Sequence, residues 1–255
     1  MNSQVITLKT PDQVRRLRKA NRIVAEILVA LRDGAAAGMS TLDLDRQSVD
    51  LCKRHQVKPA FLGLYGYPRS LCISLNEEIV HGIPSAKRIL KEGDLVSIDY
   101  GVVFEGMYGD AAISFGIGRM TDQALSLMRV TEESLYQGIA EAHVGNRVGD
   151  ISAAVQAHVE THGFSVVRDF VGHGIGEAPH EPPQVPNYGR RGAGPRLKAG
   201  MVLALEPMVT AGDWSVVVLD DGWTAVTEDG SLAAHFEHSV LITENGPEIL
   251  SQLEL

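Results

Sequence analysis

The segment LVSIDYGVVFEGMYGD, residues 95–110, sets Asp99 and Asp110 into an otherwise apolar stretch. Its alternation and its Glu105-Gly106 turn signal read as a β-hairpin. In that register Asp110 sits opposite Gly101, and residues 99 and 101 share a face, so both carboxylates project the same way as diagonal neighbours. Like charges that close share a cation or a proton, unless both are solvated strand-end groups. Further on, FVGHGIGEAPH (170–180) places His173 among glycines after a strand-like run, with His180 at its end. The glycines fit close backbone approach rather than a dinucleotide fingerprint, because GHGIGE opens no helix and Pro179, Pro182 and Pro183 follow. LALEPMV (203–209) sets Glu206 in an apolar strand-like run, and AHFEHSVLI (234–242) sets Glu237 at the start of another. An ionised glutamate is rarely buried unless paired or coordinated. Four carboxylates and one imidazole in such settings suit two hard or borderline divalent ions.

Elements of two kinds must position these residues. Thr10, Pro11 and Gln13 give a capping-box start, and Val14, Leu17, Val24, Leu28 and Leu31 follow at helical spacing, so a helix is expected over 10–33. A second fits 41–56, and strands fit 71–75 and 95–104. The order then recurs, with helices over 121–142 and 148–162 and strands over 165–171, 202–209, 215–219 and 235–243. Gly38 to Asp43 matches Gly145 to Asp150, Lys91 and Gly93 match Lys198 and Gly200, and Asp99 matches Glu206, all at an offset of 107. Either the chain is duplicated or a Gly-rich sequence matches itself by chance. Duplication predicts one α+β domain over 1–255 with halves at about 10–118 and 119–250, helices on one face of a mainly antiparallel sheet.

The bulk composition narrows the classes. At 255 residues, 44% hydrophobic and 22% charged, with no apolar run of membrane-spanning length, the chain reads as a soluble globular protein. MNSQVITLKTPDQV has no basic region followed by an apolar stretch, so no secretory leader is expected and the cytoplasm is the expected location. A net charge of −9 argues against DNA as a partner. Two small basic clusters, Arg15, Arg16, Arg18, Lys19 and Arg190, Arg191, Arg196, Lys198, read as solvated surface and leave room only for a weak, transient ribosome contact. Cys52 and Cys72 form no CxxC pair and read as buried thiols in a reducing compartment.

The stretches GYPRSLCISLNEEIVHGIP (66–84), GDLVSIDYG (93–101), GDAAISF (109–115), GHGIGEAPHEPPQV (172–185), EPMV (206–209) and EHSVLITENG (237–246) resemble the type I methionine aminopeptidases. Similarity runs from about residue 10 to 250. The resemblance implies the pita-bread fold and a monomeric dinuclear hydrolase that removes the initiator methionine of nascent polypeptides, preferring a small second residue. It implies metal ligands at Asp99, Asp110, His173, Glu206 and Glu237, with Asp110 and Glu237 bridging two ions drawn from Co, Mn, Fe or Zn. It makes Glu206 a proton shuttle as well. His81 and His180 would be the non-ligand catalytic histidines, and Cys72, Tyr67, Phe61 and Trp223 would line the methionine pocket. Phe61, Leu64, Tyr65 and Pro179 depart from the common pattern and put pocket shape in doubt. His55, His143, His158, His162, His235 and His238 match no role and read as surface or supporting residues. Two rivals remain: a proline-specific peptidase of the same fold, and a non-catalytic relative that binds peptides or ribosomes.

Overall fold

The computed structural model describes residues 5–252, so the first four residues read for a leader lie outside it. Helix α1 spans Pro11–Gly34. Thr10 caps it: the Gln13 side-chain oxygen accepts from the Thr10 N–H at 2.9 Å, and Pro11 stands in the first turn, where a missing N–H costs nothing. Its stripe of Val14, Leu17, Val24, Leu28 and Leu31 is buried. Helix α2, Thr41–His55, is boxed by Ser40 and Asp43 and ends on Gln56 in the left-handed region at φ 58°. Helices α3, Asp122–Ala140, and α4, Val148–Thr161, follow the midpoint of the chain. At the start of α4 the Asp150 carboxylate accepts from the Arg147 N–H at 2.7 Å.

The hairpin pairs Leu95–Phe104 with Met107–Gly116, setting Gly101 against Asp110, and turns through Glu105 at φ 46° and Gly106 at φ 78°. It lies inside one sheet of nine strands. Along that sheet come Lys58–Pro59, the two hairpin strands, Glu237–Thr243, Val202–Leu205, Gly172–Gly174 and Glu181–Val185, with every pairing antiparallel. Helix α1 packs on the hairpin. The closest approach is at Gly109, where a Cβ would lie 2.8 Å from the backbone of Ala20 and Asn21, so only glycine admits the helix there. Positions 107 apart also share backbone geometry: Ser40 bridges Ile89 as Arg147 bridges Arg196, and Gly93 and Gly200 have φ 88° and 89°.

Three strand expectations need correction. The run 202–209 is two strands, because Pro207 lacks an N–H and interrupts the ladder; after it Met208–Thr210 joins a small sheet with Ala233–His235 and Ser165–Val166. The run 235–243 breaks likewise between His235 and Glu237, where the Phe236 N–H donates to the Pro207 carbonyl at 3.3 Å. The run 165–171 reduces to Ser165–Val166, and the chain re-enters the large sheet at Gly172–Gly174. No helix among the described residues is long and apolar enough to cross a membrane.

Candidate active site

Four of the five residues with donor chemistry, Asp99, Asp110, His173 and Glu237, fall on strands of the large sheet, and Glu206 directly follows the end of the strand Val202–Leu205. Asp99 and Glu237 both stand in register with Ala112, one on each side of it, and Asp110 lies two residues along on the same face. His238 pairs with Leu205, which puts Glu237 beside Glu206, and His173 pairs with Ala204 on the next strand. Asp110 is held from behind. Its N–H donates to the Asn21 side chain at 3.1 Å, and its carbonyl accepts from the Ser239 hydroxyl at 2.9 Å. Asn21 is itself fully buried and anchored to the Leu17 carbonyl, so α1 sets the backbone from which Asp110 projects.

The carboxylates crowd one another, and among the described residues no Lys or Arg side chain neutralises them. Burial and then its carboxylate neighbours push Asp110, Glu206 and Glu237 well above the usual range, and burial raises Asp99 to about 7. Oδ1 of Asp99, Oδ1 of Asp110 and Oε1 of Glu237 are buried without a hydrogen-bond partner. His173 is neutral: burial lowers it to about 4. Its Nδ1–H donates to the Gly174 carbonyl at 3.0 Å, which leaves the Nε2 lone pair facing Glu206 Oε1 at 3.3 Å. Two lone pairs at that distance call for a proton or a cation between them, and a carbonyl-bound imidazole is the usual ligating tautomer. Asp110, His173 and Glu237 offer donor atoms all within 4.8 Å of one another. Unpaired oxygens, a tautomer set for ligation and mutual repulsion together fit divalent cations.

Cation removal should expose that repulsion as a pH dependence. An unfolded Asp titrates near about 3.9, whereas Asp99 in the metal-free fold titrates at about 7. Between those values the folded chain holds protons that the unfolded chain has released, so metal-free stability falls as pH rises. Cations take the protons' place and cancel the loss. The gain in Tm on adding metal should therefore grow from about pH 5 to about pH 7, the upper part of that window. His173 stays neutral throughout it. Calorimetry with and without chelator measures the gain, and a gain flat in pH would refute the charge cluster.

Above these groups opens a cavity of about 230 Å³. Phe61, Tyr67, Cys72, His81, His180 and Trp223 all line it together with the five donors, so every site residue proposed from the sequence is brought to one place. Gly101 clears room for Phe61, whose ring lies 3.0 Å from where a Cβ would stand. The Tyr67 hydroxyl donates to the Gly82 carbonyl at 3.1 Å and its ring meets Trp223 edge-on at 5.1 Å. Burial drives the Cys72 thiol up, which favours the protonated, unreactive form where it lines the cavity. His81 has φ 62°, a costly backbone for a non-glycine residue, and this aims its ring between Phe170 at 5.2 Å and Trp223 at 6.4 Å. Burial lowers His81 to about 4. His180, also lowered by burial, lies edge-on to His173 at 4.5 Å and stacks with Tyr65 at 6.0 Å.

Sequence reading missed His235, Val80, Phe170, Val171 and Met208 as lining residues. His235 is the chemically notable one: it is fully buried, lowered to about 3, with an unpartnered Nε2 4.0 Å from Glu206. Its place two residues before Glu237 is the nearest sequence signal, although the two residues stand on separate strands, Ala233–His235 and Glu237–Thr243. Of the departures, Phe61, Leu64 and Tyr65 do shape the cavity.

A profile of metallopeptidase family M24 matches residues 15–244. The chain belongs to that family. Within it, similarity over the full length groups the chain with methionine aminopeptidases: that of Clostridium perfringens is 51% identical over 250 residues, 98% of this chain and 100% of that one. The crystal structure of methionine aminopeptidase from Thermotoga maritima superposes with a TM-score of 0.96 at 48% identity, covering 98% of this chain and 100% of that one. Prolidase from Pyrococcus furiosus, with a TM-score of 0.79 and 21% identity over 97% of this chain and 66% of its own, shares the fold alone.

Proposed function

We propose that the chain acts as a methionine aminopeptidase, releasing an N-terminal methionine from peptides and nascent proteins. The observation that carries this reading is the convergence of unpaired buried donors under an apolar cavity of side-chain size. Asp99, Asp110, His173, Glu206 and Glu237 would hold the ions, with Asp110 and Glu237 shared between them as the resemblance implies. When bound, such ions supply an acidified water and a polarised carbonyl. Glu206 accepts the attacking water's proton and passes it to the leaving amine. His180 donates to the oxygen on which charge develops, and His81 contacts the nitrogen of the scissile bond. Both imidazoles are biased towards the neutral form by burial, so they donate without adding a charge that would repel the ions. Cys72, Tyr67, Phe61 and Trp223 give an apolar, polarisable wall for an unbranched thioether.

The metal ions are divalent; the choice among Co, Mn, Fe and Zn is a matter for metal analysis of protein purified from its own cytoplasm. There the enzyme would act as a monomer on chains leaving the ribosome. Arg15 and Arg16 share Asp12, and Arg18 pairs with Glu248, so two carboxylates offset part of the charge that this cluster would offer a ribosome.

Selectivity tests the reading. Met-Ala and Met-Gly peptides should be cleaved far faster than Met-Leu or Met-Lys peptides, and Ala-Pro peptides hardly at all. Faster release from Ala-Pro than from Met-Ala would transfer the assignment to a proline-specific activity.

A further inference from the structure

Outside the cavity, helices α3 and α4 pack together and carry a second group of donors, Glu133, His158 and His162. None of the three lines the cavity. We propose that they form a separate surface site for one borderline divalent cation of the zinc class, joining α3 to the end of α4.

Four observations support the site. His158 stands in the last turn of α4 and His162, four residues on, is the cap that follows it, and their ring centroids are 4.5 Å apart. Donor atoms of all three residues lie within 4.8 Å of one another, with His158 Nε2 and Glu133 Oε2 at 3.1 Å. The His162 Nδ1–H donates to the His158 carbonyl at 2.8 Å, so its Nε2 keeps a free lone pair, the tautomer that ligating imidazoles adopt. The group also sits at the C-terminal end of α4, where the helix dipole favours positive charge.

Two imidazoles and one carboxylate select Zn, Ni, Co or Cu over Mg or Ca. Three protein donors leave the remaining positions to water. Without a cation the His158 Nε2–H donates to Glu133; a cation takes that hydrogen's place, and the hydrogen moves to the other ring nitrogen. Arg129 grips both Glu133 oxygens at 2.9 and 3.0 Å. Each oxygen has a second lone pair, so the guanidinium and the cation share the carboxylate, and the guanidinium's charge weakens the site.

The test is calorimetric titration of the metal-free full chain with Zn²⁺. Wild type should bind one more equivalent than His158→Gln or His162→Gln, and Arg129→Gln should keep that equivalent and bind it several-fold more tightly. Asp110→Asn should keep it too, which separates this site from the cavity whatever the cavity's chemistry. Because His162 is exposed, its variant should fold and turn over Met-Ala peptide as wild type does. Ring-nitrogen NMR reads the same event directly: both imidazoles should shift on adding Zn²⁺. Equal stoichiometry in wild type and both histidine variants, or unmoved ring signals, would overturn the proposal.

Discussion

Asp110→Ala should lower turnover of a Met-Ala peptide by roughly a thousandfold or more, the order lost when an electrostatic element of a hydrolytic site is removed. Asp110 is buried beside the carboxylates of Asp99 and Glu237, and one of its oxygens has no hydrogen-bond partner among the described residues. On the proposed reading its loss removes a metal ligand, so bound metal should fall with activity. The metal-free protein should move the other way. Burial and the neighbouring Asp99 both disfavour the ionised carboxylate. Asp110→Asn, which keeps the shape but not the charge, should therefore raise the Tm of chelated protein while abolishing turnover. Metal stoichiometry, Tm under chelation and kcat on the same preparations check all three. A variant that keeps its metal and its rate, or loses stability under chelation, would show that Asp110 serves the fold and not the ions.

His180→Ala should lower kcat by about 10²- to 10³-fold, the loss usual for one oxyanion donor, while leaving metal content and Tm near wild type. The ring reaches into the cavity between His173 and Tyr65, and no side-chain hydrogen bond ties it among the described residues. Its loop is clamped instead by the next residue. Glu181 accepts from the N–H groups of Glu177 and Ala178 at 2.8 and 3.2 Å and pairs with Lys9. Truncating His180 thus removes a donor without loosening the loop, so KM should change less than kcat. Loss of thermal stability or of metal alongside activity would instead make His180 a structural residue. An unchanged kcat in well-folded His180→Ala would remove it from the mechanism.

Much of this protein is written locally. The capping box at Thr10, the apolar stripe of α1 and the Glu105-Gly106 turn depend on neighbours a few residues away, and each stands where the sequence puts it. The hairpin register follows from the same local rules, so the Asp99 and Asp110 alignment could be read from alternation alone. The family, and through it the donor set, was legible because its motifs carry side chains that no structural need explains. Contacts distant in sequence decided the rest. The runs 202–209 and 235–243 look continuous, yet both break at the Pro207–Phe236 contact and send their second halves to different sheets. Nothing local marks that break in the second run, because its cause is a proline in the first. The sequence likewise leaves His235 as either a surface or a supporting residue, and only the fold places it 4.0 Å from Glu206. The sequence by itself determined which groups do chemistry and which elements carry them. Only the tertiary structure decided that five strands from both halves of the chain meet at those groups, since strand order is set by pairing across more than a hundred residues.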